Sequence, residues 1–77
     1  MSSKVMDIKA LIKLGNLDSK SEAEDIYMNL SLKFKNYTDG ISKVKAIRNK
    51  YNLSFKAAVE CALDASQLQM LKTMQKK

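Results

Sequence analysis

From Thr38 to Ala65 the chain reads TDGISKVKAIRNKYNLSFKAAVECALDA, and this stretch limits the available folds more than any other. Ile41, Val44, Ile47 and Tyr51 recur at helical spacing, and Leu53, Ala58, Cys61, Ala62 and Ala65 do so again after a break. The break is Tyr51-Asn52-Leu53-Ser54. Asparagine tolerates the left-handed conformation that ends a helix, and the Ser54 hydroxyl can accept from the bare N–H groups that begin the next one. A helix-turn-helix-like pair is expected, one helix over 41–51 and one starting at Phe55, with Ile47, Leu53, Ala58 and Ala62 buried together.

The segments before this pair also carry helical periods. KVMDIKALIKL, residues 4–14, sets Val5, Ile8, Leu11 and Ile12 on one face with lysines opposite, and Gly15 follows where a helix end favours a residue tolerant of positive φ. Ser19-Lys20-Ser21-Glu22 has the spacing of a reciprocal serine–glutamate cap, and Glu22, Glu24 and Asp25 suit the positive end of a helix dipole. This predicts a second helix over 20–36. From Met28 to Phe34, however, apolar and polar residues alternate strictly, which also fits a strand near 28–35 paired across a dimer. The helix is preferred because no other segment offers a strand partner, and an unpaired strand leaves its backbone unsatisfied.

NYTDG, residues 36–40, has turn chemistry, with Thr38 or Asp39 available to cap the third helix. After Ser54 neither glycine nor proline intervenes, so the last helix is drawn over 55–75, with Val59, Leu63, Met70 and Met74 as a seam. A break near Asp64-Ala65-Ser66, with Ser66 capping a separate tail helix, is the competing reading. The expected fold class is a single small all-α domain over 1–77; the alternative is α+β.

At 77 residues such a domain is near the lower limit at which one core outweighs chain entropy, so a homodimer is expected. The chain has no histidine, which removes imidazole chemistry at neutral pH, and the single Cys61 sits at a core-like position with nothing to activate it. No glycine-rich phosphate loop or nucleophile elbow is present, and no Cys/His set suits zinc. A non-enzymatic protein without cofactor or metal is expected. Glu60 and Asp64, one turn apart, read as exposed side chains. No apolar run reaches signal-peptide or membrane-span length, so a reducing cytoplasm with no transmembrane segment is the expected setting.

Charge points to a partner. Thirteen lysines and one arginine against eight acids leave a net charge of +6. This lysine bias is what AT-rich coding produces, and a bacteriophage or another AT-rich genome is the expected source. Four acids fall within Asp18–Asp25, whereas seven basic residues face only Asp39 between Ile26 and Val59. The expected partner-binding residues are Lys43, Lys45, Arg48, Lys50 and Lys56. On a helical projection Lys43 and Lys50 share one shoulder of their helix, while Lys45 and Arg48 lie towards the other. An acidic protein, a nucleic acid and a membrane surface all suit such a charge. Sequence-specific DNA reading is the weaker fit. The second helix would present Ser54, Lys56, Ala57 and Glu60 to a groove, with one cation and no arginine, glutamine or asparagine for base edges. Tyr37 and Tyr51 occupy apolar helical positions and read as packing residues rather than base-stacking platforms.

Val44-Lys45-Ala46-Ile47-Arg48, then Asn52-Leu53-Ser54-Phe55-Lys56-Ala57-Ala58, is similar to an apolar-Lys-x-apolar-Arg motif followed by Gly-Leu-x-Leu-Lys-Glu-Ala. Through these residues the segment from about 28 to 65 resembles the C-terminal domain of the ribosomal stalk protein of the bacterial large subunit. The resemblance implies an α+β unit with a strand at Leu30–Phe34, and recruitment of translational GTPases through Lys45, Arg48 and Lys56. Asn52 and Ser54 stand where that family has glycines, Ala57 where it has glutamate and Val59 where it has lysine. The leading functional expectation is a small regulatory protein that acts by protein–protein binding, of the kind bacteriophages use in host takeover or lysis timing. A nucleic-acid-binding helix-turn-helix protein is the alternative.

Overall fold

A computed structural model describes residues 2–75. Five helices account for its regular structure: α1 (Ser2–Gly15), α2 (Lys20–Lys33), α3 (Tyr37–Tyr51), α4 (Phe55–Leu63) and α5 (Ala65–Gln75). Among the described residues there is no strand, so the fold is all-α. α3 packs chiefly on α4, α2 packs on α1, α3 and α4, and α5 rests on α4. One core, centred on the fully buried Leu11, Leu30 and Val44, joins the first four helices. Burying each such side chain stabilises the fold by roughly 1.5–3 kcal/mol.

Local capping sets most of the boundaries. Ser19 accepts from the Glu22 N–H at 3.1 Å and starts α2 as the sequence predicts. The glutamate does not return the bond as a reciprocal cap would; its carboxylate reaches Lys56 Nζ on α4 at 3.1 Å. Asn52 takes the left-handed conformation, with φ 55° and ψ 51°, and its N–H donates to the Arg48 carbonyl. Leu53 N–H donates to the same carbonyl at 3.0 Å, and Ser54 Oγ accepts from the Ala57 N–H at 3.2 Å. The central helix pair and its turn therefore form as expected.

The strand alternative at 28–35, and the strand that the stalk-domain resemblance places at Leu30–Phe34, give way to helix through Lys33. Two observations explain this outcome. Ala23, Ile26 and Leu30 are buried on one helical face, and the Ser31 hydroxyl donates to the Tyr27 carbonyl at 2.8 Å, four residues back, as helix geometry permits. The alternation leaves Met28 and Leu32 exposed instead.

Several boundaries depart from expectation. α2 stops at Lys33, not at 36, because Phe34 turns extended. α3 starts at Tyr37, not at 41. Its cap is Asn36, whose Oδ1 accepts from the Asp39 N–H at 2.8 Å, while Thr38 and Asp39 lie within the helix. Gly40 therefore sits inside α3, where a Cβ would come within 2.9 Å of Leu30 Cβ. The positive φ after α1 belongs to Asn16, at 50°, and not to Gly15. Gly15 makes room for Phe55 instead: a Cβ there would meet the ring at 2.6 Å. Val5, placed on the buried face by its spacing, is 53% exposed. Leu53 is half-buried, whereas Ile47, Ala58 and Ala62 are in the core.

The single helix expected over 55–75 is two helices, and Asp64, not Ser66, makes the joint. Asp64 takes an extended conformation, and its carboxylate accepts from Ser66 N–H at 3.0 Å and Ser66 Oγ at 2.7 Å. These bonds to Ser66 hold its carboxyl below the usual range. Ala65, counted with the face of the preceding helix, is exposed at the start of α5.

Candidate functional site

The corner at Asp64 lays α5 beside α3 as well as on α4. Lys43 and Lys50, two turns apart on one shoulder of α3, are there joined by Lys72 of α5 around an open groove of about 280 Å³. Ala46, Ile47, Leu68 and the Tyr51 ring complete its lining. Lys50 Nζ stands 5.5 Å from the Tyr51 ring centroid, so the ring face is already covered by a cation. No acidic side chain is among the described residues that line this groove. Three lysines and several apolar side chains on one lining can hold carboxylates or phosphates with an apolar group beside them.

The other expected binding residues are not brought to this groove. Lys45 lines a separate cleft of about 320 Å³ between α1 and α3, where Asp7 stands on the opposite wall. Lys56 is tied to Glu22, so its charge is compensated and the pair links α4 to α2. Arg48 is half-buried at the end of α3, where its carbonyl anchors the turn. The sequence projection correctly separates Lys43 and Lys50 from Lys45 and Arg48. It misses Lys72, which lies beyond a corner whose angle no local pattern announces. The one sign of it in the sequence is the Asp64-Ala65-Ser66 capping chemistry.

On the other flank of α5 runs a second groove of about 290 Å³ between α4 and α5. Leu53, Ala57, Cys61 and Leu71 line it together with Met70 and Met74, and Glu60 is the one charged residue on its described lining. Met70 and Met74 are 62% and 66% exposed, whereas Val59 is in the core and neither it nor Leu63 lines this groove, so the continuous seam expected along 55–75 does not form. Cys61 is buried, and its thiol is pushed up first by that burial and then by Glu60 and Asp64. A thiol held protonated is a poor nucleophile.

Tyr37 stacks on Tyr27 with ring centroids 4.4 Å apart, which makes it a packing residue. Burial, with lesser contributions from Asp7 and Tyr27, pushes its phenol up to about 12. The face that a DNA-reading helix would present offers Ser54, whose hydroxyl is used as a cap, and Lys56, which is paired. Among the described residues no group of three or more His, Cys, Asp or Glu side chains is arranged to hold a metal ion. Among the same residues no helix is long and apolar enough to cross a membrane.

No family model matches the chain, and no match is found among curated proteins or solved structures.

Proposed function

We propose that this is a small non-enzymatic regulatory protein that binds an acidic protein segment in the α3–α5 groove. The observation that carries the reading is that Lys43, Lys50 and Lys72 share one groove with Ile47 and Leu68, with no acid on the described lining. A helical segment with carboxylates one or two turns apart and an apolar residue between them complements that arrangement in both charge and shape. Lys45 and Arg48 add to the positive field that draws such a partner in, as steering charges outside the contact. The biological setting that goes with this reading is a cytoplasmic accessory factor of a bacteriophage, as the lysine-rich composition suggests.

Nucleic acid is the second reading, favoured by the same three lysines, but the arrangement suits it less well. The cations lie on separate sides of the molecule and not along one track, and Tyr51 is half-buried beneath Lys50. Both are unfavourable to a backbone path with stacked bases.

One titration separates the two. Isotope-labelled protein is titrated with a synthetic helical peptide bearing paired glutamates along a leucine stripe, and separately with duplex DNA. Peptide-induced shifts are expected at Lys43, Ile47, Lys50, Leu68 and Lys72, and are expected to vanish in the Lys43→Glu/Lys50→Glu variant. DNA is expected to bind weakly at physiological salt. The reading is falsified if DNA or RNA binds in the nanomolar range at that salt, with a log–log salt slope that falls by about one unit per lysine removed.

A further inference from the structure

Sulfur is unevenly placed on this molecule. The chain has one cysteine and five methionines, and Cys61, Met70 and Met74 line the same groove of about 290 Å³ between α4 and α5. Met70 and Met74 stand one turn apart and so share a face of α5, while Cys61 comes from α4. The corner at Asp64 returns α5 along α4, which brings these donors to one lining from two helices. Methionines that serve only as packing are buried, yet Met70 and Met74 lie exposed beside a buried thiol.

The absence of a Cys/His set excludes a structural zinc site but not one built on thioethers. A thiolate with two thioethers is a soft donor set, of the kind that selects copper(I), whereas carboxylate and carbonyl oxygens suit magnesium and calcium. The rest of the lining agrees with a soft monovalent cation. Leu53, Ala57 and Leu71 are apolar and offer a strongly hydrated ion nothing in exchange for its water. No lysine is among the described lining residues, and Glu60 supplies a negative charge in a chain whose net charge is +6. The flexible methionine side chain lets Met70 and Met74 adjust to an ion held by Cys61.

We propose that the α4–α5 groove is a copper(I) site whose ligands are Cys61 Sγ, Met70 Sδ and Met74 Sδ. On binding, the Cys61 thiol releases its proton to solvent and the thiolate bonds to the metal; the two thioethers bond as neutral donors, and no electron is transferred. The charges of cation and thiolate then cancel. The bound ion ties α5 to α4 and stabilises the folded chain. Lys43, Lys50 and Lys72 take no part, so this site and the partner reading above can each fail without the other.

The test is an anaerobic titration of the reduced full chain with tetrakis(acetonitrile)copper(I), in competition with the copper(I) chelator bicinchoninate, whose absorbance reports the ion it captures. Far-ultraviolet circular dichroism shows that each variant is folded. The native chain should hold one copper(I) per molecule against the chelator. Silver(I), a redox-inert probe with the same donor preference, should raise the native Tm and shift the Met70 and Met74 methyl resonances, and zinc(II) should do neither. Met70→Leu/Met74→Leu changes two exposed side chains and keeps the thiol. It should lose copper(I) to the chelator and show no rise in Tm with silver(I). Met6→Leu/Met28→Leu should bind as the native chain does. The proposal is overturned if Met70→Leu/Met74→Leu holds copper(I) as well as the native chain, which would mean binding by the thiol alone. It is equally overturned if the native chain fails to hold the ion, if Met6→Leu/Met28→Leu loses it, or if zinc(II) raises the Tm as silver(I) does.

Discussion

Replacing a glycine inside a helix by alanine ordinarily stabilises a protein, and at Gly40 it should do the reverse. Gly40 lies in the first turns of α3 with an ordinary negative φ, so alanine would improve the helix by about 0.5–1 kcal/mol if nothing faced it. What faces it is α2. An alanine Cβ would stand 2.9 Å from Leu30 Cβ, 3.1 Å from Phe34 Cδ2 and 3.3 Å from the Leu30 carbonyl oxygen. Leu30 is fully buried, and its Cβ is fixed to the backbone, so no rotamer change relieves the contact. The two helices must move apart, which loosens their packing around Leu30 and Val44. Overpacking of this type costs about 1–3 kcal/mol, so after the helix gain the net loss lies between about 0 and 2.5 kcal/mol and is centred a little above 1 kcal/mol. For a domain of this size each kcal/mol of that loss corresponds to a fall in Tm of about 4–8 °C. Thermal and urea unfolding followed by circular dichroism measure it, with the exposed Ser42→Ala on the same helix as a control expected within about 0.5 kcal/mol of native. An unchanged or higher Tm for Gly40→Ala would refute the close approach of α2 and α3.

Tyr37 gives a pH prediction. Its phenol is held up to about 12 in the folded chain, from an ordinary value of 10.0, so the folded state keeps a proton that the unfolded state releases. Its contribution to stability is therefore complete below pH 10.0 and is lost as pH climbs towards about 12. Urea midpoints across that range should fall more steeply for the native chain than for Tyr37→Phe. Asp64 has the opposite sign: its carboxyl is held down by Ser66, so its contribution to the α4–α5 corner is present at neutral pH and lost on acidification. Asp64→Ala should expose α5 amides to hydrogen exchange while leaving those of α3 protected. Lys56→Ala removes the pair with Glu22, whose partners are both partly exposed, and should cost under about 1 kcal/mol in urea unfolding. A larger loss there would mean that α2 depends on this link more than its buried face indicates.

The parts of this protein that its sequence alone determines are those decided within about one helical turn. Asn52 and Ser54 make the central turn, and Ser19 starts α2, because each needs a backbone group three or four residues away. The helical periods around Val44 and Ala58 are legible for the same reason: the side chains of one face are near neighbours in the chain. Where two periods overlap, from Met28 to Phe34, the pattern by itself is ambiguous, and burial of Ile26 and Leu30 against other helices resolves it. Only the tertiary structure decided what depends on the distance between helices. Gly15 and Gly40 read as end and turn residues, yet each is required by a neighbour, Phe55 or Leu30, that lies remote in sequence or across a connection. Val5 has the spacing of a core residue and stays exposed, since helical spacing fixes a face but not how far along the helix that face is covered. Lys56 reads as a free cation until α4 meets Glu22 of α2, and Lys72 reads as a tail lysine until the Asp64 corner brings it to Lys43 and Lys50. A charge does its work through space, and its neighbours in space are set by how the helices cross, which a one-dimensional pattern does not encode.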